Sequence, residues 1–402
     1  MLTKKYCPTS ETKNMKLKIA LIGCRGIPNF YGGFEKLAEC LSVGLVDKGH
    51  DVTVYNSHNH PYQKKNFYGV RIIHCYDPEF KFGTAGQFIY DWNCIQHARK
   101  EDYDVILFLG YTSSSIWGKF FPKKSVIISN MDGLEWKREK YNFLTRQFLK
   151  HAEKLAIKYS DFYVADSLVI QNYLQKKYHV RCMYIPYGSD TDNTGNNELL
   201  SSYDISKQEY YLLMARMEPE NNVETILDGF YNSSSNKKFL VIGNTGNSFG
   251  QKLEKKFKAD KRILFAGAIY DSAVTYSLKY FSHLYFHGHS VGGTNPSLLE
   301  AMGSRTLIAA HQNEFNHAVL QKDAYYFQSS KDVEKLIESV NRDEKEEQMV
   351  ENNFLKIETQ YNWPVIIEQY NAYIMHCYLH KKTERTFLLN NTLTNTLQAE
   401  SA

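Results

Sequence analysis

The sequence predicts an α/β chain of two Rossmann-like domains, each built on a parallel sheet and facing the other across a cleft. Three observations predict it. Short apolar runs alternate with helical stretches, and they do so twice over. A polar linker separates the two series. At 402 residues the chain is too long for one typical domain.

The first series opens with Lys18 to Gly23 (KIALIG), an apolar run suited to a buried parallel strand. A loop with Gly23, Gly26, Gly32 and Gly33 follows. From Phe34 to Lys48 the apolar residues Leu37, Ala38, Leu41, Leu45 and Val46 fall at helical spacing, and Gly49 stops the helix. Asp51 to Tyr55 reads as the next strand. Val70 to His74, Val105 to Leu109, Ser125 to Ser129 and Phe162 to Ala165 repeat the theme. Ile89 to Lys100 and Asn142 to Tyr159 read as helices between them.

Ile185 to Ser202 is rich in Gly, Asn, Asp and Ser and reads as the linker. The second series has strands at Tyr211 to Ala215, Phe239 to Gly243, Ile263 to Ala266, Leu284 to His287 and Leu307 to Ala310. Helical stretches lie near 221–231, 249–258, 271–281 and 296–303. The expected organisation is a flexible N-terminus over 1–15 and a first domain over 16–188. A second domain over 189–361 and a helix over 362–380 crossing back to the first domain follow. Residues 381–402 lack a core pattern and are expected to form a disordered tail.

Bulk properties exclude several classes. Hydrophobic residues make up 43% of the chain, enough for two cores, and the net charge of +4 is too mild for a nucleic-acid binder. Seven cysteines without C-x-x-C spacing point to reduced thiols and a cytoplasmic setting. Met1 to Asn14 has no apolar core, so no signal peptide is expected there. No apolar run approaches the roughly 18 residues of a membrane span. Any membrane contact is therefore expected to be peripheral. Basic, aromatic stretches at Trp117–Lys124 and Trp136–Lys150 suit an anionic bilayer and are equally compatible with solvated faces.

The richest stretch is Gly292 to Glu300 (GGTNPSLLE). Asn295 is a good helix N-cap and Pro296 suits the first helical position. The N–H groups of Ser297 and Leu298 are then expected to be open at the positive end of the helix, a seat for phosphate. Gly293 and Thr294 complete that loop, and Glu300 lies where it would accept a hydrogen bond from a neighbouring sugar hydroxyl. An ordinary capped helix is the alternative.

Other loops fall at strand ends, where α/β ligands gather. Gly32 and Gly33 let a ligand approach the backbone. Arg216 ends a strand and is suited to bind a diphosphate, or to pair with Glu218 or Glu220 at the surface. Gly243 and Asn244 form a third loop, near a base or ribose, or a plain turn. Asp132, Glu135, Trp136, Lys137 and Arg138 place carboxylates beside cations after the strand at 125–129, and Asp166 follows another strand. A charge cluster and a helix cap are the bland alternatives. His287 and His289 have no partner at metal-ligand spacing, so no metal site is expected. A dinucleotide site is disfavoured: the glycines lack G-x-G-x-x-G spacing and no acidic residue ends the second strand.

Taken together, these motifs resemble family-4 glycosyltransferases of the two-domain GT-B kind. The resemblance is to the subgroup that carries G-x-R-G-I-P-x-x-Y-G-G-F-E, complete here from Gly23 to Glu35. D-G-x-E-W-K-R matches Asp132 to Arg138, and A-D-S matches Ala165 to Ser167. A-R-M-E-P-E-N-N matches Ala215 to Asn222, and G-N-T matches Gly243 to Thr245. S-V-G-G-T-N-P-S-L-L-E-A-M matches Ser290 to Met302, and the likeness extends over about 16–380.

The resemblance implies a retaining, metal-independent transfer of a sugar from a nucleotide donor, L-rhamnose from dTDP-L-rhamnose being the best match. The acceptor would be a glycan or lipid-linked glycan of bacterial surface polysaccharide. The nucleotide-sugar is a substrate, and no cofactor is implied. The donor would meet Gly32, Gly33, Arg216, Gly243, Asn244, Gly293, Thr294, Asn295, Ser297, Leu298 and Glu300. Arg25, Glu135, Trp136, Lys137 and Asp166 would face the acceptor, with Asp132 and Arg216 at the chemistry.

Two positions depart from the broader pattern. Gly292 stands where a glutamate is usual, eight residues before Glu300, and Asn221 stands where a lysine is usual. Alternatives are a UDP- or GDP-hexose donor, a nucleotide-sugar 2-epimerase, and a non-catalytic nucleotide-sugar binder.

Overall fold

The computed structural model describes residues 15–400 apart from 31, 132, 139–140 and 192–194, with side chains to 384. The expected flexible N-terminus, apart from Met15, and Asp132 thus lie outside the described residues.

The first domain is an eight-stranded sheet in the order β3-β4-β2-β1-β5-β6-β7-β8. Its strands are β1 (Lys18–Ile22), β2 (Asp51–Ser57), β3 (Asn66–Phe67), β4 (Val70–Cys75), β5 (Val105–Leu109), β6 (Val126–Asn130), β7 (Phe162–Ala165) and β8 (Cys182–Tyr184). All pair in parallel except β3, which folds back on β4 as a two-residue hairpin arm. The inner strands read as continuous apolar runs because helices cover both faces. Those helices are α1 (Gly33–Asp47), α2 (Glu79–Phe82), α3 (Gly86–Ala98), α4 (Phe143–Tyr159) and α5 (Leu168–Tyr178). The sequence periodicity does not show β3, β8, α2 or α5; the two strands and α2 are too short for a period to register.

The second domain is an all-parallel sheet in the order β11-β10-β9-β12-β13-β14. It comprises β9 (Tyr210–Met214), β10 (Lys238–Ile242), β11 (Ile263–Phe265), β12 (Leu284–His287), β13 (Ile308–His311) and β14 (Tyr325–Phe327). Its helices are α6 (Val223–Asn232), α7 (Ser248–Phe257), α8 (Ser272–Tyr280), α9 (Pro296–Gly303), α10 (Glu314–Leu320), α11 (Ser330–Ser339) and α12 (Glu344–Lys356). Both sheets reverse their winding, β1 against β5 and β9 against β12. Ligand crevices open at the carboxyl ends of such neighbours.

The described part of the linker is more ordered than its composition suggests. Residues Asn197–Tyr203 form a short 3-10 helix, buried through Leu200. The N–H of Asn196 donates to the Ser277 hydroxyl on α8 at 3.0 Å.

The chain crosses between domains twice, and the crossings touch. The N–H of Ser189 donates to the Tyr361 carbonyl at 2.7 Å. Helix α13 (Trp363–Glu400) then returns to the first domain. His50 Nε2 meets Asn371 Oδ1 at 2.8 Å, and the Tyr373 hydroxyl donates to the Tyr163 carbonyl at 3.0 Å. Ile366, Tyr370 and Ile374 are buried at this interface. Side chains of that kind contribute about 1.5–3 kcal/mol each. The helical backbone runs on past 380, where a disordered tail was expected; neither Pro nor Gly interrupts residues 381–400.

Candidate active site

Five segments meet where the domains face each other. The first domain contributes the loop after β1, the segment Gly133–Arg138 after β6, and Asp166 after β7. The second contributes the turn 215–222 after β9 and the loop 288–295 after β12. The faces are in contact. The Thr294 hydroxyl donates to the main-chain carbonyl of Asp166 in a short hydrogen bond. Lys137 Nζ lies 3.6 Å from Glu314 of α10, and Arg138 Nη1 lies 3.8 Å from Glu220.

Glycine is required at two positions of the 288–295 loop. A side chain at Gly293 would put its Cβ 1.9 Å from the Asp166 carboxylate. Gly292 holds φ at +143°, a conformation that L-residues rarely adopt. The position usually occupied by glutamate in the resembled family is thus shaped for glycine here.

The expected phosphate seat differs from its sequence reading. Asn295 caps α9 as expected, but its Oδ1 accepts from both the N–H of Ser297 (2.9 Å) and the Ser297 hydroxyl (2.8 Å). The N–H of Leu298 donates to the Asn295 carbonyl at 3.0 Å. Neither N–H is open, because the cap residue itself takes one and a tight first turn takes the other. An anion would meet this helix start by displacing the Asn295 side chain. Glu300 is also engaged: Lys279, 3% exposed, donates to its Oε2 at 2.7 Å, while the Glu300 side chain stays 56% exposed. The buried lysine aims that carboxylate rather than removing it from solvent.

Arg216 is exposed and makes no ion pair among the described residues. The expected alternative, pairing with Glu218 or Glu220, is not seen. Its carbonyl accepts from Asn221 Nδ2 at 2.8 Å, which holds the turn. Asn221, standing in place of a lysine, is therefore a scaffold residue.

Gly32 is the extended N-cap of α1, and Gly33 packs against Pro296 across the cleft. Gly243 packs tightly on the Ala215 carbonyl, and Asn244 accepts from the N–H of Gly246 at 2.8 Å. That side chain closes its own turn, the bland alternative for this loop.

The acceptor-side residues divide. Arg25 is committed to Glu79 through Nε (2.8 Å) and Nη2 (2.6 Å), and this pairing holds its guanidinium firmly charged. Glu135 binds Arg138 at 2.7 Å beside the cleft. Trp136 instead donates to Glu153 at 3.2 Å and lines a cavity of about 610 Å³ formed by first-domain residues alone, with Lys150, Lys154 and Lys177. Asp166 is buried against Gly293.

Three further side chains lie here: Glu220, which the sequence offers only as a surface partner for Arg216, and His287 and His289, which it offers only as metal ligands without a partner. Glu220 is buried in the β9 turn facing Arg138. His287 and His289 stack at 4.5 Å in the floor. Burial, then the positive charges of Arg216 and Arg138, push His289 down to about 3. His287 is driven well below its usual range, again chiefly by burial. Both rings are neutral at physiological pH. Their i, i+2 spacing at the end of β12 signals that they share a face, but not what that face meets. No group of three or more His, Cys, Asp or Glu among the described residues is placed to hold a metal ion.

Comparison with known proteins adds the fold. Sucrose-phosphate synthase from Thermosynechococcus elongatus superposes with a TM-score of 0.72 at 17% identity, covering 93% of this chain and 100% of its own. HepE from Anabaena, solved with UDP and glucose, gives 0.70 at 14%, covering 88% and 98%. The catalytic domain of starch synthase IV from Arabidopsis thaliana, bound to ADP and acarbose, gives 0.67 at 12%, covering 90% and 100%. The fold is GT-B. The GT-B cleft is the crevice already described, with β1 and β9 flanking it. A family model described as "Domain of unknown function (DUF1972)" matches residues 16–190, the first GT-B domain. No curated protein matches the sequence.

Proposed function

We propose that the chain is a glycosyltransferase that takes a sugar from a nucleotide donor held on the second domain and passes it to an acceptor on the first. The observation that carries this is Arg216. It is an exposed cation at the end of β9 without an ion-pair partner among the described residues, and its charge reaches His289 in the loop that follows β12. A nucleoside diphosphate would supply the missing negative charge and leave as the sugar departs, with Arg216 offsetting the charge that develops. The proposed donor is dTDP-L-rhamnose, the acceptor a lipid-linked glycan of the bacterial envelope, and the setting cytoplasmic.

The test is a thermal-shift screen across dTDP-, UDP- and GDP-sugars. A selective rise with dTDP-L-rhamnose is expected, since a ligand that binds only the folded state raises its melting point. A rise with a UDP- or GDP-sugar alone would replace the donor, and no rise with any would remove the reading.

Peripheral membrane contact belongs to the same reading. Phe143 and Leu144, at the start of α4, are 71% and 77% exposed, and Lys150, Lys154 and Lys158 follow on the same helix. Among the described residues no helix is long and apolar enough to cross a membrane. Exposed apolar residues beside lysines suit an anionic interface. Co-sedimentation with phosphatidylglycerol vesicles, but not phosphatidylcholine vesicles, is expected, and Phe143→Ser with Leu144→Ser should abolish it.

A further inference from the structure

The turn after β9 carries a carboxylate that the phosphate-binding role of this site does not use. The Glu220 side chain is 4% exposed, and its Oε2 is buried without a hydrogen-bond partner among the described residues. Arg138 Nη1 stands 3.8 Å from Oε1, beyond hydrogen-bond range, and Arg138 is held more closely by Glu135 at 2.7 Å. Burying a carboxylate with an unfilled oxygen is costly, so such a group calls for an explanation, and a ligand is one.

Its position is set by the backbone. The Glu220 carbonyl accepts from the Ser290 N–H at 3.1 Å and the Ser290 hydroxyl at 2.8 Å. Asn222 Nδ2 donates to the Gly288 carbonyl at 2.8 Å. The turn is therefore pinned to the glycine loop, with Arg216 four residues before Glu220 and the first domain opposite. Tyr141 of the first domain feels the charges of Glu135, Arg138, Glu220 and Arg216 together, after burial as the main cause of its raised pKa.

We propose that Glu220 binds a hydroxyl of the donor sugar. An ionised carboxylate only accepts hydrogen bonds, and a sugar hydroxyl is a donor of the right kind. Arg216 would hold the diphosphate, and the sugar follows the diphosphate along the donor, toward Glu220. Gly292 offers no carboxylate, and its backbone is shaped against one. The carboxylate comes instead from the β9 turn. This rests on reading the cleft as a nucleotide-sugar site.

Calorimetric titration of wild-type protein and Glu220→Gln with UDP, UDP-glucose, dTDP and dTDP-L-rhamnose tests it. Wild type should bind one nucleotide-sugar more tightly than its nucleoside diphosphate. Glu220→Gln should lose about tenfold on that nucleotide-sugar and stay within twofold on the diphosphate. Glu220→Asp, which keeps the charge but shortens the reach, should lose the same increment and covers the case in which the first variant does not fold. If folded variants keep the sugar increment, or lose both ligands in parallel, the role of Glu220 is overturned while the nucleotide-sugar reading stands. If wild type binds none of the four, both fall.

Discussion

Arg216 and Arg138 belong to opposite domains and both act on His289, but their surroundings differ in kind. Arg138 is tied to Glu135, whereas Arg216 has no ion pair among the described residues. Arg216→Ala should therefore weaken nucleoside diphosphate binding by about tenfold or more and lower transfer by about two orders of magnitude. Titration and a transfer assay check this; unchanged affinity would remove the phosphate role. Asp91 gives a separate prediction. Burial and, to a lesser degree, the charge of Asp77 raise its carboxyl to about 7, against a hydrogen bond from Ser113. The folded state then holds a proton that the unfolded chain releases near pH 3.8. Its contribution is complete at low pH and is lost as pH rises through about 7, a difference of roughly 4 kcal/mol. Asp91→Asn should gain stability relative to wild type between pH 4 and 8, read as the change in urea midpoint. The place of Arg216 at a strand end is legible because it follows an apolar run. The burial of Glu220 is not, because two glutamates flank Pro219 and only the fold buries one of them.

Helix α9 shows how far an element can be read from its sequence. Its span, its Asn cap and its leading proline all follow from local chemistry, because a cap is decided by adjacent residues. The cap also closes the groups expected to be open: Ser297 has both its groups on Asn295. Asn295→Ala should cost about 1 kcal/mol of stability in a denaturant titration. It would also free the Ser297 N–H, so diphosphate affinity should hold or rise; a fall would mean that the Asn295 side chain itself contacts the ligand. Helix α13 was expected from its apolar spacing up to 380. Where it docks was settled by Gly44 of α1, which makes room for Ile367.

At the scale of the molecule, the domains touch through Gly293 against Asp166, Pro296 against Gly33 and two ion pairs. Gly293→Ala adds a methyl where the Asp166 carboxylate sits, and should hold the domains apart. A larger radius of gyration by X-ray scattering and lower transfer are expected; an unchanged radius would mean that Asp166 yields instead. The stacked His287 and His289 add to the loss of stability on acidification. Their folded pKa values lie below the ordinary value near 6.5, so the unfolded chain binds more protons from there down to about 3. Stability that both rings contribute near neutrality is lost as pH falls through that window. His287→Asn should blunt this loss relative to wild type, read as the change in urea midpoint between pH 7 and 5.

Local chemistry fixes the two alternating α/β series, the loops at their strand ends, the cap of α9 and Arg216 at the end of β9. These depend on neighbours within a few residues, through periodicity, capping and turn chemistry. Which charged groups are already paired depends on the three-dimensional packing. Arg25 meets Glu79, Glu300 meets Lys279, and Trp136 turns to Glu153, in each case a partner 17 or more residues away. The same packing buries Glu220 opposite Arg138. Burial and pairing across a cleft depend on how two sheets are docked, and no local pattern encodes that distance.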